Sequence, residues 1–247
     1  MHRLKFAFWL CTLPVILHAD GNHGFTATLK NCTELIGFGP VSFATARALV
    51  PASYTLVPFG PNTAGLVVRA SLCDSVGVGH SAEKPAIVAQ AGIAVVSPDG
   101  TGDINNYTLL YSTNHEHLSE ALTEAGLSAI FDRALTYEFT PNSSGQGEIY
   151  VAVSPAVQPA WFLTGTADPP PSGDAPVVAN WWFSASHATV KMATSIPSIS
   201  YGAASFSLHT SKNSVLGALI GGNTDASFVF FNARGAFATG VLTVTAK

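Results

Sequence analysis

The chain has 247 residues, 11 Lys and Arg against 15 Asp and Glu, a net charge of −4, and 11% charged against 47% hydrophobic residues. A slightly acidic chain without a basic run lacks the electrostatic footprint of a phosphate-binding surface, so nucleic acid is not an expected partner. Charged residues usually make up about a quarter of a globular chain, so solubility here must rest on Ser, Thr, Asn, Gly and attached sugar.

Residues 1–19 open with Arg3 and Lys5, continue into the apolar block from Phe6 to Leu17, and close on Leu17-His18-Ala19. This is the pattern of a secretory signal peptide. An apolar run of about twelve residues is too short for a membrane span, which takes roughly twenty, and no later segment reaches that length unbroken. The reading is a secreted or secretory-lumen protein with no membrane span, a signal over 1–19 and a single domain over 20–247. Cleavage would remove Cys11 and leave Cys32 and Cys73, which should pair in an oxidising compartment as a structural disulfide. Three sequons agree with export: Asn31-Cys32-Thr33, Asn106-Tyr107-Thr108 and Asn142-Ser143-Ser144. Asn142 lies in the most turn-like setting, between Pro141 and Gly147.

Short runs of β-branched and aromatic residues punctuated by Gly, Pro, Asn and Asp predict strands over Tyr54–Val57, Gly65–Leu72, Ala86–Val96, Tyr107–Ser112, Leu135–Thr140, Glu148–Val153, Trp161–Thr166, Val177–Ala185, Thr189–Ala193, Ala204–Thr210, Ser227–Phe231 and Val241–Thr245. Two short helices cover the sheet. One is capped by Thr113 or Asn114, carries Leu118, Ala121, Leu122 and Ala125 at helical spacing, and stops at Gly126. The other runs from Ser214 to Ile220 before Gly221-Gly222. About a dozen strands without a βαβ rhythm predict a mostly β fold: an antiparallel sheet closed into a barrel or cone with a central cavity, because closure removes exposed edges. The proline-rich stretch Asp168–Asp174 reads as a rim loop within this domain.

Familiar catalytic signatures are missing. Gly79-His80-Ser81-Ala82-Glu83 lacks the last glycine of a nucleophile elbow and its strand-to-helix setting. His115 and His117 are two apart on a helix and face different ways, so they do not make a metal pair, and the segment reads as a solvated face. No metal site and no cofactor are expected. Polar residues inside apolar strands are more telling, because a barrel interior that buries a charge must pair it or use it. Arg69 alternates with Val67 and Ser71 against the apolar set Leu66, Val68, Ala70 and Leu72; if its face lines a cavity, Arg69 is a ligand anchor. Lys191 and Asn180 interrupt apolar strands in the same way. Trp181, Trp182 and Phe183 are candidate pocket walls, and the phenols of Tyr137 and Tyr111 would need partners if buried.

The run Leu49-Val50-Pro51 before Tyr54-Thr55-Leu56-Val57, the helix ending Glu124-Ala125-Gly126-Leu127, and the segments Asn180-Trp181-Trp182, Lys191 and Ser214–Gly222 together resemble the acetoacetate decarboxylase-like superfamily over residues 45–245. The resemblance implies a β-cone with a central cavity. That family's paired-lysine motif forms a Schiff base, yet the corresponding stretch here, Leu127-Ser128-Ala129-Ile130-Phe131-Asp132-Arg133, has no lysine. In outline the chain is also similar to fungal hetero-Diels-Alderases of tropolone-sesquiterpenoid biosynthesis. That likeness implies catalysis by shape on an apolar small molecule, with Arg69, Lys191, Asn180 and Tyr137 as donors and Trp181, Trp182, Phe183 and Tyr111 as binding walls. The expected activity is a cofactor-free cyclisation. The competing expectations are a non-catalytic carrier and a decarboxylase-like enzyme with an altered site.

Overall fold

The computed structural model describes residues 24–170, 175–185 and 188–247. The signal assigned to residues 1–19 lies outside the described residues, as does part of the proline-rich loop. In chain order the elements are β1 (Phe25–Ser42), α1 (Phe43–Leu49), β2 (Pro58–Gly60), β3 (Thr63–Val78), β4 (Lys84–Ala94), β5 (Ile104–Thr113), α2 (Glu116–Glu124), β6 (Ile130–Phe131), β7 (Thr136–Pro141), β8 (Gly147–Val153), β9 (Trp161–Ala167), β10 (Ala175–Ser184), β11 (Thr189–Thr210), α3 (Val215–Leu219), β12 (Asp225–Ser227) and β13 (Phe231–Ala246).

The strands run in the order β10-β5-β4-β3-β1-β13-β11, and β10 pairs with β11 to close the ring. Beyond Ala203 the 22-residue β11 leaves the ring, and its last part, Ala204–Thr210, pairs with β9, which continues into β8 and β7 as a second sheet. The expected closed, mostly β architecture is present, with three helices among the described residues rather than two. The sheet is mixed rather than purely antiparallel, since β10 and β6 each pair parallel with β5. The chain re-enters the ring at β10 after building the second sheet, and arrives running the same way as β5.

Two cores result, one on each side of the barrel wall. Inside, Leu29, Val67, Val76, Trp181, Met192, Ile196 and Leu242 pack together, and Leu118 and Leu122 of α2 join them at one end. Outside, Leu35, Leu66, Val68, Ala89 and Ile93 pack against Val151, Trp161, Leu163 and Leu208 of the second sheet, with Ala46 of α1 and Leu216 and Leu219 of α3 in the same cluster. A wall buried on both faces is rich in apolar residues at every position.

Interruptions of the two-residue period decide what points inward. In β1 the inward side chains are Ala27 and Leu29, then Cys32; the switch occurs at Asn31, whose φ of 49° is left-handed. Asparagine tolerates that conformation better than branched residues do. Glu34, Ile36 and Phe38 follow on the inner side. Cys32 lies directly opposite Cys73 of β3, and the two form the expected disulfide, which fits an oxidising compartment. Where β4 meets β5, a bulge at Ala91/Gly92 shifts the register, and a Cβ on Gly92 would lie 2.2 Å from the Tyr107 carbonyl oxygen and 2.9 Å from the Trp181 ring. Only glycine lets the inner tryptophan lie across the strand there.

At α2 the cap is His115, whose Nδ1 accepts the Leu118 N–H at 3.1 Å, rather than Thr113 or Asn114. His115 is 3% exposed, which corrects the solvated-face reading for this residue; His117 is exposed and pairs with Glu120 at 3.1 Å. α3 starts at the expected Ser214, whose Oγ accepts the Gly217 N–H. Tyr54–Val57 is not a strand: only Leu56 bridges to Val95. Ser227–Phe231 splits between the end of β12 and the start of β13. Among the described residues no helix is long and apolar enough to cross a membrane.

Candidate active site in the barrel

Successive inward positions of β1, β3 and β4 bring Glu34, Arg69 and Gln90 together, through the cross-strand pairs Ile36↔Arg69 and Arg69↔Gln90. Arg69 Nε donates to Glu34 Oε2 at 2.7 Å, and Arg69 Nη1 donates to Gln90 Oε1 at 3.0 Å. The side chains of Arg69 and Glu34 are 11% and 3% exposed. Taking both charges out of water costs several kcal/mol per ion, and a well-packed apolar pair would often serve stability as well. Two of the five guanidinium N–H groups are committed to protein acceptors, so the arrangement aims the remaining donors.

Arg69 divides the interior. On the α2 side is a small chamber of about 30 Å³ lined by Ser71, Cys73, Tyr111, Leu118, Trp181 and Met192. On the other side a narrow space bounded by Glu34, Val67, Asn106, Trp181, Thr194 and Tyr201 shares Asn106, Val67 and Tyr201 with an open mouth of about 540 Å³. The mouth is walled by Ile36, Phe38, Val57, Phe59, Ile104 and Phe231. Phe38 and Phe59 meet edge to face at 4.6 Å. Burial, reinforced by Glu34 and opposed by Arg69, pushes the Tyr201 phenol up to about 12. Burial likewise raises Tyr111, against the opposing pull of Arg69. Both phenols are protonated donors at neutral pH.

The sequence-predicted site residues fall into three places. Arg69, Trp181 and Tyr111 line the interior together. Phe183 continues the Trp181 face to the strand end, stacking at 6.2 Å on Tyr107. Lys191, Asn180 and Trp182 have the opposite parity and lie on the outer side of the wall, a correction to their placement in one pocket. There Lys191 Nζ donates to Asp99 Oδ2 and Thr101 Oγ1, each at 2.6 Å, and sits 5.1 Å from the Trp182 ring centre. The Lys191 contact, with help from Thr101, holds Asp99 well below the usual carboxylate range. Asn180, fully buried, donates to the Thr101 carbonyl oxygen at 2.8 Å and to Asn105 Oδ1 at 3.1 Å. Trp182 Nε1 donates to the same Asn105 oxygen at 2.9 Å. This cluster ties loop 97–103 to β10; Gly102, at φ +78°, has no room for a Cβ, which would lie 2.3 Å from Asn180 Nδ2. Ser97 and Asp103 of that loop border the mouth, so these residues position its rim. Tyr137 lies elsewhere, in a groove with Thr33, Phe139 and Arg234, whose guanidinium sits 3.9 Å from the Phe139 ring centre.

Glu34, Gln90, Asn106 and Tyr201 are interior residues beyond the sequence-predicted set. Gln90, alone among the apolar residues from Ile87 to Ile93, carries the same signal that marked Arg69. Glu34 had none, because the period breaks at Asn31. Asn106 is 1% exposed and faces the cavity, so the folded barrel has no room for a glycan there and that sequon is corrected to an interior residue. Asn31 and Asn142 are exposed. Among the described residues no lysine lines the three interior spaces.

No family model matches the sequence, and no curated protein is significantly similar to it. The fold does match solved structures. The enduracididine biosynthesis enzyme MppR, solved with the condensation product of pyruvate and imidazole 4-carboxaldehyde, is similar over 90% of this chain and 87% of its own, at 10% identity and a TM-score of 0.51. An acetoacetate decarboxylase-like enzyme from Sphingomonas wittichii RW1 covers 91% of each chain at 10% identity and a TM-score of 0.55. An acetoacetate decarboxylase covers 92% of this chain and 89% of its own at 8% identity and a TM-score of 0.53. The chain thus shares the cone fold of acetoacetate decarboxylase-like enzymes.

Proposed function

We propose that the protein is a secreted biosynthetic enzyme that takes an apolar small molecule into the barrel and directs a cyclisation of the hetero-Diels–Alder type, using no cofactor. The observation that carries this reading is the fixed cation of the interior, Arg69, held by Glu34 and Gln90 behind an aromatic mouth. In such a reaction a conjugated carbonyl compound and an alkene form one C–C and one C–O bond, and no atom, proton or electron leaves. The protein needs to hold the two π-systems in contact and to draw electron density from the carbonyl oxygen. Phe38, Phe59 and Phe231 supply the apolar walls, while Arg69 and the protonated Tyr201 supply the donors. Correct positioning alone can supply roughly 7–11 kcal/mol of a barrier, and one preorganised donor about 3 kcal/mol. That no lysine among the described residues lines the interior spaces speaks against a Schiff-base route. The disulfide and the residue 1–19 pattern support secretion.

The test uses an ortho-quinone methide generated in situ with a terpene alkene. Rate and stereoisomer ratio are compared between buffer, the protein, and Arg69→Met paired with Glu34→Gln so that no lone charge stays buried. The protein should accelerate the reaction and skew the ratio, and the double variant should lose roughly a hundredfold in rate. A ratio equal to that in buffer, with ligand still bound, would reassign the protein as a carrier.

A further inference from the structure

We infer that Asn106 is a ligand-reading residue: its carboxamide accepts a hydroxyl hydrogen from the molecule that occupies the mouth, so the ligand class is an apolar, conjugated compound bearing a free hydroxyl. This rests on the reading of the barrel as a small-molecule site and deepens it.

Asn106 lies in β5 between Ala94 of β4 and Trp181 of β10, on the wall shared by the mouth and the narrow space above Arg69. It is 99% buried by its 1% exposure, yet its Oδ1 has no hydrogen-bond partner. Its neighbours show what a structural asparagine does in this wall. Asn105 accepts from Trp182 and Asn180 and donates to the Thr101 carbonyl oxygen, and Asn180 donates to loop 97–103. Those two point outward and are tied to loop 97–103 by their hydrogen bonds, with Asn180 Oδ1 also left without a partner on that outer side, whereas Asn106 Oδ1 is the unpartnered carboxamide oxygen on the cavity face.

The other groups around the same space sort by chemistry. Arg69 and the protonated Tyr201 offer donors. Glu34 Oε2 and Gln90 Oε1 are engaged by Arg69. Asn106 Oδ1 therefore complements them as a buried acceptor without a protein partner. A buried acceptor left unpaired is costly, and a ligand hydroxyl placed beside it removes that cost. A ligand with a carbonyl for Arg69 and a hydroxyl for Asn106 satisfies both ends of the polar strip while its hydrocarbon lies on the phenylalanines.

The test measures binding of 2-naphthol and 2-methoxynaphthalene by calorimetry to the whole protein and to Asn106→Leu and Asn106→Ala. The methoxy compound has the same ring and an oxygen but no hydrogen to donate. The expected result is roughly tenfold tighter binding of the naphthol to the wild-type protein, with both variants binding the two compounds equally. Asn106→Leu should melt no lower than wild type, because it removes an unpaired polar group; Asn106→Ala controls for the added bulk. Equal binding of the two compounds by the wild-type protein, or preference retained in both variants, overturns the assignment of Asn106 while leaving the cavity a ligand site. Failure of both compounds to bind the wild-type protein overturns this inference together with the small-molecule reading.

Discussion

Replacing Glu34 with Gln leaves Arg69 as a buried cation whose nearest acceptor is neutral. The Glu34 carboxylate is 3% and the guanidinium 11% exposed, so water cannot take over the lost partner without entering the barrel. Breaking a buried pair on one side costs about 3–5 kcal/mol. The Gln90 contact at 3.0 Å remains and argues for the lower end. For a domain of this size each kcal/mol moves the melting temperature by about 2–4 °C, so Glu34→Gln should melt about 6–12 °C lower. Glu34→Leu with Arg69→Met removes both charges and should recover most of that loss, because buried pairs exchange for apolar ones at little net cost. Thermal unfolding of wild type, Glu34→Leu, Arg69→Met and the Glu34→Leu/Arg69→Met double variant gives the coupling directly. A Glu34→Gln protein melting within a degree or two of wild type would refute the reasoning, since it would mean that water already reaches Arg69 and the interior is not a dry donor site.

Removing the disulfide as Cys32→Ser with Cys73→Ser should destabilise by about 4 kcal/mol in the loop-closure picture, given the 41-residue separation; denaturant titration with and without reductant checks it, and no difference would mean that the bond does not form. Burial lowers the pKa of His115 from its ordinary 6.5, with His117 and Lys84 acting in the same direction. The unfolded chain then takes up a proton that the folded chain resists, so this contribution is complete above pH 6.5 and declines as pH falls below it. Asn is a good cap, so His115→Asn should flatten that part of the stability–pH curve. Lys191→Met removes the clasp on Asp99 from a partly solvated site, so the expected stability loss is under about 1 kcal/mol, and the activity proposed for the Arg69 site should persist; a complete loss of activity would place Lys191 in the chemistry. Peptide mapping after deglycosylation should find sugar at the exposed Asn142 turn and none at Asn106.

Part of this was legible in the residues alone. Apolar runs with turn residues between them were enough for a closed, mostly β fold, because strands with no helical rhythm must either close or hide their edges. Alternation through Val67, Arg69 and Ser71 put the key cation on one face with its neighbours, and counting cysteines paired Cys32 with Cys73. The cap and stop residues around Leu118–Ala125 and Val215–Leu219 located two helices to within a few positions. What alternation cannot tell is which face is the cavity. The barrel wall is buried on both sides, by the interior and by the second sheet, so apolar residues occur at both parities. Lys191, Asn180 and Trp182 therefore looked like pocket residues and turned out to clamp loop 97–103 from outside. The left-handed turn at Asn31, the register shift between Cys73 and Val76 where β3 pairs with β4, and the bulge at Ala91/Gly92 reset the parity along single strands, and only the paired register shows where. That is why Glu34, the partner that makes Arg69 a fixed donor, and Asn106, which read as a sugar site, emerged from the tertiary structure: both depend on neighbours distant in the chain.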